Sequence, residues 1–279
     1  MTNVANQIAN FEPIHAAHAI EQVALIVQFD RPFDDATFLS IREVSKQFET
    51  ELPGKTEIQT MSFAFGMPSA QQLPQQNTPT GLVLRRTAPD GSVDTELRIE
   101  RTSLTFLTTR YTRWDALKAQ SNIYFDVLLP IYLTHARLSA VSMNYIDKFA
   151  WNGDLAYFSP NSLLRSESKY LCKHIFETND FWHSHTGLFI RESDLIKRLL
   201  NINIDHLDEA RPDGTRRVVS ITTVLTDHFN QPSYDVYEGN IDESIVMIKA
   251  RMQDMHNFGK SVLADLLTEQ MSRRIALVG

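Results

Sequence analysis

The spacing of apolar residues changes from strand-like to helix-like within the first fifty positions. Residues 23–29, Val-Ala-Leu-Ile-Val-Gln-Phe, are rich in β-branched side chains and predict a strand. After it, Asp34 or Asp35 can cap a helix whose apolar positions recur at helical spacing, namely Phe38, Ile41, Val44 and Phe48. A Pro-Gly pair at 53–54 ends this helix, and residues 56–65 predict a second strand.

Between residues 81 and 110, apolar and polar positions alternate, which predicts a meander of antiparallel strands with a turn at Pro89-Asp90-Gly91. From Thr112, a plausible cap, the pattern becomes helical, with apolar or aromatic positions at Trp114, Leu117, Tyr124, Phe125, Leu128 and Leu129. Pro130 is expected to kink this helix or to end its first part. Residues 138–149 then predict a further strand.

The second half of the chain repeats this succession of strands and helix. A short helix is predicted after Pro160, and strands are predicted over residues 181–191 and 217–228. Residues 196–205 could form another strand, although the pattern of residues 197–200 is ambiguous. A single apolar stripe then predicts a closing helix that lies across a sheet, formed by Ile241, Ile245, Ile248, Met252, Met255, Val262 and Leu266. Gly259 is its weak point and costs about 1 kcal/mol relative to Ala if it is helical.

Together these elements predict an α+β fold in which mainly antiparallel sheet packs against long helices. Two Pro-Asp-Gly turns, at 89–91 and 212–214, each precede strands that lead to a long helix, which suggests two related halves. Residues 1–17 are polar and predict a flexible arm, and residues 18–279 predict one compact domain with a soft division near 151–161. Residues 67–80, rich in Gln and Pro, predict a surface loop.

The composition narrows the class of protein without naming a function. The chain has 279 residues, with 27 Lys and Arg against 34 Asp and Glu, so its formal net charge is −7. This acidic balance argues against broad nucleic-acid binding, and the plentiful aromatic residues exclude global disorder. The start of the chain lacks the pattern of a signal peptide, and no apolar run is long enough to cross a membrane. We therefore expect a cytoplasmic protein, in which the single cysteine, Cys172, is an inert core residue.

Two histidines are the first candidate for a metal site. On a strand, His183 and His185 project from the same face, a geometry that can bind a divalent metal through two imidazoles. The alternative is a pair of surface or partly packed histidines, since no third ligand stands at a diagnostic spacing. Phosphate loops, nucleophile elbows and Cys-x-x-Cys motifs are absent from the sequence. The sequence predicts no cofactor and favours a non-catalytic protein.

Arginines on the predicted meander strands are the second candidate. Arg85, Arg98 and Arg113 belong to local basic clusters, and those that share a face of the sheet could form a patch for an anionic ligand or an acidic partner. The alternative is an ordinary solvated sheet face.

Three segments resemble a sporadically distributed, functionally uncharacterised bacterial family of about this length. Tyr111-Thr112-Arg113-Trp114-Asp115 resembles the family's Tyr-x-x-Trp-Glu helix start, and Asn144-Tyr145-Ile146-Asp147 resembles its Arg-Tyr-Ile-Asn strand, with Asn144 and Asp147 departing from it. The opening strand after Pro13 and the closing helix from Met255 are similar as well. Tyr111 and Trp114, three residues apart, can cover the sheet together and serve as packing or as ligand contacts. The resemblance implies a bacterial accessory protein of the kind found in defence-associated gene sets.

Two functional hypotheses follow. The first is a non-catalytic protein-binding module, such as an accessory or neutralising subunit of a bacterial defence or toxin–antitoxin system. Its partner is another protein, with homodimerisation as a further option because exposed strand edges invite pairing. The alternative is a small-molecule sensor or a metal-dependent hydrolytic enzyme that uses His183 and His185.

Overall fold

The computed structural model describes residues 11–60, 78–178, 180–211, 214–229 and 240–277. Most of the surface loop predicted over 67–80 therefore lies outside the described residues, as do residues 1–10 of the predicted arm and residues 212–213 of the second turn. The last three positions of the predicted loop, 78–80, belong to a strand.

The predicted strands and three of the four predicted helices occur in the predicted order, with shifted boundaries. The strands are β1 (Phe11–Pro13), β2 (Ile20–Phe29), β3 (Gly54–Thr60), β4 (Thr78–Thr87), β5 (Val93–Glu100), β6 (Ser103–Thr108), β7 (Leu138–Trp151), β8 (Trp182–Arg191), β9 (Ile196–Arg211) and β10 (Gly214–Phe229). The helices are α1 (Asp35–Val44), α2 (Trp114–His135), α3 (Ile241–Leu266) and α4 (Glu269–Arg274). Asp34 caps α1, because its Oδ1 accepts from the Thr37 amide at 2.8 Å. Helix α2 continues through Pro130 to His135.

The strands form one sheet in the order β3-β4-β5-β6-β2-β7-β10-β9-β8, with β1 paired to the end of β7. Every pairing is antiparallel. The predicted α+β class with mainly antiparallel pairing is therefore confirmed.

The order of the strands is similar on the two sides of the centre of the sheet. In each half the first strand pairs with the last strand of the same half, β2 with β6 and β7 with β10, and the β2–β7 pair joins the halves. A helix follows the last strand in each case, α2 after β6 and α3 after β10. The centre of the molecule is thus the place where the first strands of both halves lie side by side.

One face of the sheet, which we call the inner face, packs against α2 and α3. Along β7 it is formed by alternate residues, Val141, Met143, Tyr145, Asp147 and Phe149, all of which are buried. Leu225 of β10 lies beside Gly259 of α3, and the ring of Phe106 of β6 stacks on Tyr124 of α2, so both residues belong to the same face. The apolar core lies between this face and the helices.

Three local expectations differ from the structure. Phe11–Pro13, inside the predicted flexible arm, forms β1 and pairs with residues 149–151 of β7. The helix predicted after Pro160 is replaced by short 3-10 turns, because the backbone there bonds to the end of α3: the Arg165 amide donates to the Leu266 carbonyl at 2.9 Å. Cys172 is exposed and is not a core residue. None of the described helices is long and apolar enough to span a membrane.

Candidate functional site

A cavity of about 340 Å³ lies between the centre of the inner face and the helices. Its walls come from six separate parts of the chain: the segment at the start of β2, the start of α2, strand β7, strand β10, helix α3, and the residues after α4. The polar or titratable residues on these walls are His18, Tyr111, Arg113, Asp115, Tyr145, Asp147, Thr223, His256 and Lys260, together with the indole of Trp114. Its volume falls in the range typical of small-molecule sites.

Asp147 lies on the sheet side of this cavity. It is 4% exposed, and its Oδ1 has no hydrogen-bond partner among the described residues. Burial raises the pKa of this carboxyl to about 7, because the charged form has lost water and gained no compensating donor. Near neutral pH the group therefore exists in both protonation states.

Trp114 and His256 form the helical wall opposite the sheet. Their rings stack with centroids 4.3 Å apart and an interplanar angle of 5°. The indole Nε1 donates to Gln253 Oε1 at 2.7 Å, and Tyr145 Oη lies 3.0 Å from His256 Nδ1. Burial lowers the pKa of His256 to about 4, with Lys260 acting in the same direction, so the imidazole is neutral at physiological pH.

Tyr111 and His18 form the wall on the side of the first strand. The two rings meet edge to face at 5.3 Å, and His18 Nδ1 is buried without a hydrogen-bond partner in the described chain. Burial and the nearby His15 lower the pKa of His18. Burial raises the pKa of Tyr111 to about 12, against the opposing effect of Arg113, so its hydroxyl stays protonated. Both groups are therefore neutral hydrogen-bonding groups at physiological pH.

Charged residues surround the opening of the cavity. The exposed Arg113 donates through Nη1 to the carbonyls of Ala17 and Thr112, at 3.4 and 3.3 Å. Lys260 is exposed on α3, and Asp115 pairs with Lys118 at 3.1 Å. Ala276, which also lines the cavity, has a φ of 53°, a conformation that non-glycine residues adopt rarely. Such backbone strain is commoner at binding sites than elsewhere.

A second polar cluster ties α3 to β9 and β10, and we call it the ion cluster: Arg198, Asp227, Arg251 and Asp254. Arg198 Nε and Nη2 donate to the two oxygens of Asp227 at 2.7 and 3.0 Å, and Nη2 also reaches Asp254 Oδ2 at 2.8 Å. Arg251 Nε donates to Asp227 Oδ2 at 2.7 Å. Its buried members, Arg198 and Asp227, are hydrogen-bonded to each other, so this cluster holds the helix on the sheet through charges that compensate one another.

Of the residues predicted from the sequence, three meet in the cavity: Tyr111, Arg113 and Trp114. The other two arginines do not reach it. Arg85 and Arg98 alternate with the buried Leu84 and Leu97, so they project from the opposite face of the sheet, two or more strands away from β7. There Arg98 Nη2 pairs with Glu96 at 3.1 Å. They form a solvated outer face, separate from the cavity.

The predicted histidine pair lies at the far end of the sheet. His183 and His185 are both exposed on β8, and His183 Nδ1 lies 2.6 Å from Asp205 Oδ1. Within the described parts of the chain, no three His, Cys, Asp or Glu side chains are grouped so that they could hold a metal ion. Metal binding by this pair remains a prediction.

The sequence analysis missed Asp147 and His256 as site residues. Asp147 was noted only as a departure from a family pattern, although it occupies an inner-face position among apolar residues of β7. An acid at such a position is the signal that could have identified it, because a strand buried on that face excludes unpaired charge. His256 follows Met255 in the apolar stripe of α3 and carries a similar, weaker signal.

No protein-family model matches the chain, and no curated protein sequence matches it. The resemblance to an uncharacterised bacterial family therefore remains a prediction based on the segments quoted above.

Proposed function

We propose that this protein binds a small molecule in the central cavity and acts as a sensor or carrier of that molecule. The observation that supports the proposal is Asp147, a buried carboxyl whose Oδ1 has no hydrogen-bond partner among the described residues and which borders a cavity of about 340 Å³. Pockets that bind small molecules are mostly apolar with a few placed polar groups, and this cavity has that character.

The free-energy cost of burying Asp147 also favours a bound ligand. A buried polar group without a hydrogen bond costs about 1–3 kcal/mol, and an apolar residue at the same position would avoid that cost. Val141, Met143 and Phe149 show that β7 accepts apolar residues at its other inner-face positions. A ligand that hydrogen-bonds to Asp147 would offset the cost, which gives the acid a function.

The first experiment looks for the molecule itself. The chain, expressed in its native host, is examined by native mass spectrometry and then denatured, and any released compound is identified. We expect a stoichiometric small molecule. In parallel, a library of fragment-sized compounds is screened by thermal shift on the purified protein.

A cavity-blocking variant locates the binding. Thr223→Phe adds a ring on the sheet wall of the cavity, whereas Thr222→Phe places the same ring on the opposite face of the same strand. Compounds that stabilise the wild type and the Thr222→Phe protein but not the Thr223→Phe protein bind in the cavity. The proposal fails if no compound is released and none shows this difference.

Protein binding is a second candidate, favoured by the edge of the sheet at β8. No described strand pairs with the outer edge of β8, and Phe189 on this strand is 58% exposed. An open edge with exposed aromatic residues is suited to strand addition by a partner or by a second copy of the chain. The hypothesis of an accessory or neutralising subunit would use this surface.

The oligomeric state tests the homodimeric form of this candidate. Light scattering after size-exclusion chromatography should show a dimer that Phe189→Lys converts to a monomer. Leu39→Lys is the matched control, because Leu39 is also 58% exposed but lies on helix α1 and not on an edge strand. A monomeric wild-type protein would contradict self-association through β8.

The mirrored strand order supports a further proposal, that the two halves of the chain are related by duplication. Both halves begin with a central strand and end with a helix on the inner face. The cavity lies where these halves meet, since its walls include residues from before β2 and from β7.

A further inference from the structure

The chemical class of the ligand can be argued from the charges around the cavity. Asp147 is the acid at the sheet wall, and no described side chain donates to its Oδ1. An ammonium group brings both a positive charge and three N–H donors, so it satisfies such a carboxyl more fully than a neutral donor does.

The rings near Asp147 favour the same kind of group. Tyr111, Tyr145 and Trp114 all line the cavity, and aromatic rings attract organic cations through their electron-rich faces. Tyr145 and Asp147 are successive inner-face residues of β7, and Tyr111 lines the same cavity. Burial raises the pKa of both tyrosines, so their hydroxyls stay neutral. A cation bound there would lie between one carboxylate and neutral aromatic groups.

The opening of the cavity has the opposite character. The guanidinium of Arg113 donates only to backbone carbonyls, and the Lys260 ammonium has no carboxylate partner in the described chain. The acid at the opening, Asp115, is already paired with Lys118. A simple organic cation would meet two positive charges on its way in, whereas a ligand with an anionic second group would be attracted by them.

We propose that the cavity binds a small amphoteric amine, with its ammonium group on Asp147 and its anionic group near Arg113 and Lys260. This inference rests on the proposed function and specifies its ligand. Compounds with an amine at one end and a carboxylate at the other are the simplest members of this class.

A series of linear ω-amino acids tests the inference by isothermal titration calorimetry. The probes run from glycine to 6-aminohexanoate, each with the alkylamine and the carboxylic acid of the same length. Measurements at about pH 8 keep Asp147 ionised, while the other titratable groups on the walls, His18, Tyr111, Tyr145 and His256, stay neutral. We expect one chain length to bind best, and its amine and acid counterparts to bind at least about tenfold more weakly.

Variants assign the two ends of the ligand. Asp147→Asn should weaken binding of the best amino acid by about tenfold or more, with little effect on the acid of equal length. Arg113→Gln should weaken the amino acid and the acid but not the amine. Asp126→Asn is the matched control. Asp126 is an acid on the same helix as Trp114, and its carboxylate pairs with Lys249 on the surface. It should bind like the wild type.

The outcomes separate this inference from the proposal on which it rests. Neutral or purely anionic compounds could bind in the cavity, with binding that Thr223→Phe blocks and Asp147→Asn does not change. In that case the proposed ligand class is wrong, and the proposal of small-molecule binding stands. Should no compound of any class bind in a way that Thr223→Phe blocks, both proposals fail. Melting temperatures of all variants show whether a loss of binding reflects a loss of fold.

Discussion

Two buried aspartates on neighbouring strands have opposite surroundings. Asp227 on β10 is fully buried and accepts hydrogen bonds from Arg198 and Arg251. Asp147 on β7 is 4% exposed, and its Oδ1 receives no hydrogen bond from the described chain. Both lie on the inner face of the sheet, and the residues that pack near them come partly from the same helix, α3.

The difference teaches that burial of an acid has two distinct uses here. In the ion cluster, the carboxylate and the guanidinium groups compensate each other, so the charges position α3 on the sheet. In the cavity, nothing in the described chain compensates the carboxyl, and the space beside it can admit a molecule that does. The following variants are chosen to change one of the two regions while leaving the other as a reference.

Arg198→Met should have the largest effect. The side chain of Arg198 is almost fully buried, and its loss leaves Asp227 with one guanidinium partner in place of two. Breaking a buried ion pair typically costs about 3–5 kcal/mol. We expect the free energy of unfolding, measured with urea, to fall by about that amount.

Arg98→Met is the control for this variant, because Arg98 pairs with Glu96 on the outer face and its side chain is 43% exposed. Exposed substitutions usually change stability by less than about 0.5 kcal/mol. Equal losses in both variants would show that the ion cluster contributes no more than a surface pair.

Asp147→Asn should raise the free energy of unfolding, whereas Arg198→Met lowers it. The carboxyl has a pKa of about 7 when folded and an ordinary value of 3.8, so the folded state binds the proton more tightly. Stability is therefore lost as the pH rises from about 4 to about 7, at up to about 1.4 kcal/mol per pH unit. The amide cannot ionise, so the variant should exceed the wild type by about 2–4 kcal/mol at pH 8.

The pH dependence decides whether the gain comes from ionisation. Near pH 4 the wild-type carboxyl is protonated, and the two proteins should unfold at similar urea concentrations. A difference that is the same at both pH values would contradict the assignment of an uncompensated charge to Asp147.

His256→Phe should change the pH dependence of the free energy of unfolding in the direction opposite to Asp147→Asn, and by a smaller amount. His256 has a pKa of about 4 when folded and an ordinary value of 6.5, so the unfolded chain takes up the proton first as the pH falls. Wild-type stability is thereby lost between about pH 6.5 and 4, by roughly 1 kcal/mol per pH unit after allowance for partial exposure. Phenylalanine keeps a ring beside Trp114 and removes this loss.

In the wild type, the effects of His256 and Asp147 oppose each other over this range. The His256→Phe protein should therefore gain stability relative to the wild type as the pH falls, as measured by urea unfolding at several pH values. His185→Phe makes the same change at an exposed position on β8 and is the matched control. A parallel profile for wild type and His256→Phe would show that the imidazole does not resist protonation.

The two aspartates also show how far the sequence predicts the site. Asp147 stands in Tyr-Ile-Asp-Lys-Phe and Asp227 in Leu-Thr-Asp-His-Phe, so each is an acid at an inward position between two large apolar or aromatic residues. Periodicity of this kind is local, and it correctly predicts α3 and the strands after β1, whereas β1 lies in the segment predicted as a flexible arm. Whether a partner exists is decided by Arg198 and Arg251, which lie 29 and 24 residues away from Asp227 in the chain.

The cavity is still harder to predict, because its walls join segments more than two hundred residues apart. Tyr111, Arg113 and Trp114 are predictable together because they share one contiguous helix start. The proximity of His18, Asp147 and His256 to them depends on the β2–β7 pairing and on the path of α3, which local sequence does not encode.

Gly259→Ala should have the smallest effect, and it tests the segment of α3 that follows the ion cluster and borders the cavity. A glycine inside a helix costs about 0.5–1 kcal/mol relative to alanine. The added Cβ would lie 3.6 Å from Leu225 Cδ1, an ordinary contact, so the folded protein can accept it. We expect the free energy of unfolding to rise by about 0.5–1 kcal/mol.

Gly81→Ala is the control in which space is lacking, because its Cβ would lie 2.7 Å from the Ile99 carbonyl oxygen and should destabilise the sheet. If Gly259→Ala instead weakens ligand binding without loss of stability, the glycine serves the cavity and not the helix, and the boundary between the two regions lies further along α3.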